Sequence, residues 1–275
     1  PTAPVTVHVS PSTRPPSMEP VPATALAPRP AAVAVDDGPF GVAALRARLG
    51  VSAAPLTRWH WILPLLVTAI AGVLRFTNLA HPDQLIFDET YYLKDAYSLL
   101  LHGTEQQWPE NADEGFVSGM IPAVEDQPSF VVHPPLGKQL LAVGESLFGY
   151  TPYGWRIMTG LFGTAVIVFV FLLARRVSQS TNIALVAGII ALFDGVLLVS
   201  AKFGMLDVFQ VLFVVMAAWT LAGDMREVHH RWHDAWLAGK LEDAGPFGPR
   251  MGFRWWRFAT GVLLGLTLSV KWSGL

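Results

Sequence analysis

Cysteine is absent from the 275 residues. That excludes a disulfide framework and any zinc site built on thiolates. Charge is scarce as well: Asp, Glu, Lys and Arg together make up 15% of the chain, against about 25% in an average soluble domain. Neither sign dominates, and the formal net charge of -2 offers no broad basic surface for nucleic acid. The first forty residues lack the continuous apolar core of a signal peptide. What is plentiful is hydrophobic side chains, at 52%, and this balance points to a membrane protein.

Ten of the 21 prolines fall within residues 1–40. Proline at that density suits neither a helix interior nor a central strand, so residues 1–57 read as a disordered Pro/Ala-rich tail. A short amphipathic helix is expected at Val42–Leu49. The chain starts at Pro1 and stops at Leu275 inside a run that still reads as helix, so it is expected to be part of a longer protein. Residues 58–275 then carry five apolar segments of membrane-spanning character, at about 59–76, 157–174, 182–201, 208–223 and 258–275. Between the first two lies a long loop, 77–153.

Basic residues set the expected orientation. With the N-terminus cytoplasmic, the inner segments hold 13 of the 19 Lys and Arg residues. The loop 77–153 is then outside, and it holds 11 of the 21 acidic residues. Within it, Leu93, Ala96, Tyr97 and Leu100 recur at helical spacing, as do Leu136, Leu140, Val143 and Leu147. Two one-sided helices lying in the outer membrane interface are expected there.

Several groups in this frame carry chemistry. Asp88 and Glu89 place two carboxylates just beyond the first span. Transfer to a hydroxyl needs a base that takes its proton; equally, acids at a helix start cap it and complement its dipole. His133 and Lys138 fall in the motif HPPLGK, where paired prolines stiffen the approach to a helix. Arg156, Lys202 and Lys271 are cations at outer span ends, suited to a phosphate leaving group or to lipid headgroups. Asp194 and Asp207 lie in or beside spans, where ionisable groups are costly and are expected in a charge network. His229, His230 and His233 cluster in the inner loop, but no Glu follows His229 to complete a His-Glu-x-x-His helix, so no metal site is expected. The run Phe253-Arg254-Trp255-Trp256-Arg257 reads as an interface anchor.

Taken together, Phe87-Asp88-Glu89, HPPLGK at 133–138, Arg156, Phe193-Asp194-Gly195, Met205-Leu206-Asp207 and Lys271-Trp272-Ser273-Gly274 resemble the protein O-mannosyltransferases, in particular the actinobacterial type. The acid pair alone is shared with many lipid-dependent glycosyltransferases, whereas HPPLGK with KWSG is far more specific. The resemblance implies an all-α, multi-span transmembrane glycosyltransferase fold of the polyprenyl-phosphate-sugar class. It also implies inverting transfer of mannose from a polyprenyl-phosphate-mannose donor to Ser or Thr of secreted or membrane proteins. No cofactor is implied, since the lipid donor is itself a substrate. Asp88 would be the base, Glu89 would orient the acceptor, and Arg156 would contact the acidic loop or the donor phosphate. Lys271, Lys138, His133 and Lys202 would complete the donor side. Lys202 stands where the family pattern leads one to expect Arg, which keeps the charge but loses bidentate geometry. The implied setting is the plasma membrane, with the active site extracytoplasmic. Acceptors would emerge from the secretion machinery, membrane lipids would be further partners, and no nucleic acid is involved. Three other readings are a related transferase acting on lipid or polysaccharide, a transporter, which Asp194 alone suits, and a non-catalytic scaffold.

Overall fold

The structure, a computed structural model, describes residues 58–240, 248, 250 and 252–274. The tail 1–57, with the helix expected at Val42–Leu49, lies outside the described residues. All regular elements among the described residues are helical, beside one isolated antiparallel bridge between Gln106 and Pro128.

Helix α1 is Trp59–Phe76, and the long loop follows it with α2 (Glu89–His102), α3 (Ala112–Ser118) and α4 (Leu136–Phe148). Then come α5 (Pro152–Ser178), α6 (Thr181–Leu192), α7 (Gly195–Ser200), α8 (Asp207–Leu237), α9 (Trp255–Val270) and a short 3-10 turn at Trp272–Gly274. Among the described residues, three helices are long and apolar enough to cross a membrane: α1, α5 and the Asp207–Trp232 part of α8.

The element boundaries have local causes. Helix α5 starts at Pro152, where a missing N–H costs nothing, and the Thr151 hydroxyl accepts from Gly154 N at 3.3 Å. The apolar run 182–201 is two helices, not one. Asp194 interrupts it: its Oδ1 accepts the Leu197 N–H at 2.8 Å and caps α7. The charge expected to join a network is therefore spent on a helix start. Alone, α6 has 12 residues and rises about 18 Å, short of the roughly 30 Å hydrocarbon thickness. Helix α8 continues past residue 223 to Leu237, and α9 ends at Val270, where Lys271 turns extended.

Helices α8 and α9 lie along each other, α5 packs between α8 and α6, and α1 covers α5 and α6. In the loop, α4 joins α2 to the start of α5. Leu93, Phe116, Leu141, Trp155, Leu206 and Phe209 form the centre of this core, so the loop helices share one apolar interior with the long helices. Small residues permit the close approaches. A Cβ at Gly144 would meet the Gly154 carbonyl oxygen at 2.5 Å, and one at Gly163 would meet Ala201 Cβ at 2.3 Å.

Candidate active site

The acid pair opens α2 behind a strained residue. Phe87 has φ 55°, a left-handed value that a bulky side chain rarely takes. The backbone carbonyl of Asp88 accepts the first helical N–H groups, from Tyr91 at 3.0 Å and Tyr92 at 3.1 Å. Its side chain makes no cap bond. The half-buried carboxylate instead accepts from the Tyr92 hydroxyl at 3.0 Å. Burial first, then the charge of Asp88, pushes the Tyr92 phenol well above its ordinary range, which keeps it a donor.

Glu89 points the other way, because adjacent helical residues differ by about 100° in direction. It is fully buried. Its oxygens accept from Arg156 Nε at 2.7 Å, Arg156 Nη2 at 2.8 Å, Gly204 N at 2.6 Å and Ile86 N at 2.9 Å. These four donors use its acceptor capacity, so the expected role of Glu89 in orienting an acceptor has no geometric basis here.

Arg156 is likewise fully buried. Beyond its two bonds to Glu89, it donates to the carbonyls of Leu79 at 3.3 Å, Pro82 at 2.9 Å and Gln84 at 2.9 Å. All five N–H groups are engaged within the protein. Of its two expected contacts, the geometry shows the one with the loop. Lys138 departs from its expected role in the same way. It is 1% exposed and lies 2.9 Å from Asp95 and 2.8 Å from Glu105, tying α4 to α2 and the following loop. Burial raises the Asp95 carboxyl, and the Lys138 charge partly offsets that. Lys202 donates to the Thr77 carbonyl at 2.9 Å and so holds the end of α1.

The remaining candidates gather around Tyr92. The His133 ring lies 5.9 Å from the Tyr92 ring, and its buried Nδ1 has no hydrogen-bond partner among the described residues. Burial, then the charges of Lys271 and Lys138, lowers its pKa against the opposing pull of Asp207 and Asp88. The direction of the shift favours the neutral imidazole. Lys271 meets both Asp207 oxygens, at 2.8 and 2.9 Å, joining the end of α9 to the start of α8. Gln210, one turn along, donates to Ser273 Oγ at 3.3 Å and fixes the KWSG turn beside this pair. The structure therefore brings Asp88, Tyr92, His133, Asp207 and Lys271 together at one end of the long helices. It leaves Asp194 with α7 and withdraws Glu89, Arg156 and Lys138 into the interior. Tyr92 and Gln210 had weak signals in the sequence: each stands near an acid of the site at helical spacing, Tyr92 four residues after Asp88 and Gln210 three after Asp207.

A half-buried carboxylate, a phenol that stays protonated and a partly exposed Lys–Asp pair suit proton transfer beside an anionic group. Comparison with known proteins bears on which reaction this is. The family described as dolichyl-phosphate-mannose-protein mannosyltransferase matches residues 132–240. The polyprenol-phosphate-mannose–protein mannosyltransferase of Corynebacterium glutamicum is 46% identical over 226 residues, which cover 80% of this chain and 40% of that protein. That of Mycobacterium tuberculosis is 42% identical over 228 residues, with the same coverage of 80% and 40%. The chain thus spans about two fifths of the length of these relatives. Among solved structures, the S. cerevisiae protein O-mannosyltransferase Pmt1-Pmt2 complex bound to the sugar donor covers 83% of this chain and 28% of its own, with a TM-score of 0.57 and 21% identity, a likeness of fold. On the matched family and on 42–46% identity across four fifths of its length, the chain belongs to the protein O-mannosyltransferases, in their actinobacterial type.

Proposed function

We propose that the full-length protein transfers mannose from a polyprenyl-phosphate-mannose donor to Ser or Thr hydroxyls of proteins, and that Asp88 is the base. The observation that carries this reading is the orientation of Asp88. It stands at a helix start without capping it, half-exposed, with Tyr92 as its only hydrogen-bond donor among the described residues. The names of relatives matching four fifths of the chain support donor and acceptor alike.

In the proposed reaction the acceptor hydroxyl attacks the sugar carbon from the face opposite the phosphate. Asp88 takes the hydroxyl proton as the new C–O bond forms, and the lipid phosphate leaves with the electrons of the broken C–O bond. Tyr92 donates to the Asp88 oxygen facing α2, leaving the other oxygen to accept the proton. Lys271 is the cation placed to meet charge on the leaving phosphate, and Asp207 orients it. His133 is a neighbouring donor or acceptor. Arg156, Glu89 and Lys138 serve by holding the loop. The proposed site is extracytoplasmic in the plasma membrane, with acceptors arriving from the secretion machinery; the excess of basic residues at the other helix ends supports this orientation, with a cytoplasmic N-terminus.

Asp88→Asn tests the base. Asn is nearly isosteric and can accept from Tyr92, but it cannot take the proton. Transfer to a Ser/Thr-rich peptide in membranes, normalised to enzyme amount, is expected to fall about a hundredfold or more. Near-normal transfer would end the assignment.

A further inference from the structure

Opposite the Asp88 end, the long helices carry a second polar site. Arg156 and Arg176 lie on the same helix, α5, twenty residues apart, a rise of about 30 Å and so about one hydrocarbon thickness. Around Arg176, Gly223 and Trp256 opens a cleft of about 380 Å³, lined also by Arg226, Glu227 and Arg231. The Arg176 guanidinium lies 4.0 Å from the Trp219 ring and 4.5 Å from the Trp256 ring, and donates to the Trp219 carbonyl at 2.8 Å. Gly223 makes this placement possible: a Cβ there would meet Arg176 Nη1 at 2.6 Å and Trp256 Cδ2 at 3.0 Å.

Among the described residues, the charges of the cleft do not balance locally. Its nearby carboxylates are taken, Asp224 by Arg254 and Glu227 by Arg231. Among the described residues, Arg176 has no carboxylate partner and Arg226 has no partner. Two arginines beside one cleft repel each other unless an anion joins them. Planar guanidinium groups with free N–H donors match phosphate oxygens. The tryptophans suit headgroup depth.

We propose that this cleft binds the phosphodiester headgroup of an anionic phospholipid, with Arg176 and Arg226 as its ligands. The site is separate from the reaction end, and its test does not depend on the transfer reading. The full-length protein, purified in detergent, is titrated with dioleoyl phosphatidylglycerol or dioleoyl phosphatidylcholine, and lipid retained per protein is counted by native mass spectrometry. Phosphatidylglycerol should be retained preferentially. Arg226→Gln, which removes no contact within the described protein, should weaken that retention about fivefold, and Arg176→Gln with Arg226→Gln about 30-fold. Each variant is compared at equal size-exclusion homogeneity, so that misfolding is not read as lost binding. Equal retention of phosphatidylcholine, unchanged retention in Arg226→Gln, or displacement of the lipid by excess inorganic phosphate would each overturn the proposal; the last would make this a free-phosphate site.

Discussion

Arg156→Met should destabilise the protein because of what it leaves behind. In the native structure the guanidinium supplies five hydrogen bonds, two to Glu89 and three to the carbonyls of Leu79, Pro82 and Gln84. Without it Glu89 remains fully buried and charged, with only the Gly204 and Ile86 N–H groups to face. Truncating one partner of a buried pair costs about 3–5 kcal/mol, mostly for the charge left uncompensated. Arg175 is the control: it is half-buried and makes one bond, to the Thr181 hydroxyl at 2.5 Å, so Arg175→Met should cost about 1 kcal/mol. Adding Glu89→Gln to Arg156→Met removes the stranded charge while keeping an acceptor for Gly204. The double variant is therefore expected to be more stable than Arg156→Met alone, with a coupling of about 2 kcal/mol or more. Thermal unfolding of the full-length protein in detergent reads the stability. Limited proteolysis between residues 79 and 88 reads whether the segment has come loose. If Arg156→Met unfolds at the wild-type temperature with the segment still protected, yet transfers no mannose, the strut is refuted and Arg156 must touch substrate.

Two further outcomes are expected. Glu145 is 1% exposed, neither of its oxygens has a partner among the described residues, and burial raises its pKa well above the ordinary 4.5. The folded state therefore holds a proton that the unfolded chain releases, so stability falls as pH rises from about 4.5 toward the folded value. Glu145→Gln should flatten that slope and raise the unfolding temperature at pH 7 relative to wild type; an unchanged slope would show that Glu145 is not buried in the protein. Topology is checked with impermeant thiol labels, since the chain has no cysteine of its own: Met120→Cys should label in intact cells and Lys240→Cys only after lysis, and the reverse pattern would invert the proposed orientation.

A helical membrane protein is legible from scarce charge and long apolar runs, because a bilayer demands both. The break at Asp194 is less so. A single acid inside an apolar run reads equally as a buried charge or as a cap, and only the bond to Leu197 decides. The acid pair shows a different limit. Composition places Asp88 and Glu89 at a helix start but does not say which one faces inward. That is decided by Arg156, 67 residues on, and by the Gly204 N–H, 115 residues on. Lys138 was indistinguishable from an interfacial cation for the same reason: Asp95 and Glu105 reach it from a distant part of the loop. Partnerships at short helical spacing, such as Asp88 with Tyr92, are within reach of a sequence pattern. Those made by folding the loop onto the long helices are not.

The Glu89–Arg156 tie has a mechanical consequence. It bolts the first turn of α2 to α5, a helix anchored across the bilayer, so the neighbouring Asp88 carboxylate has little travel of its own. Donor and acceptor must be delivered to a stationary group, and little reorganisation remains to be done at that group when the proton moves. The same rigidity makes chain length between Leu79 and Glu89 matter more than composition. Arg156 grips three carbonyls in this short arc, at 79, 82 and 84. One inserted residue would leave the bolt in place and swing Asp88 out of line, whereas exchanging exposed side chains along the arc would leave the alignment intact.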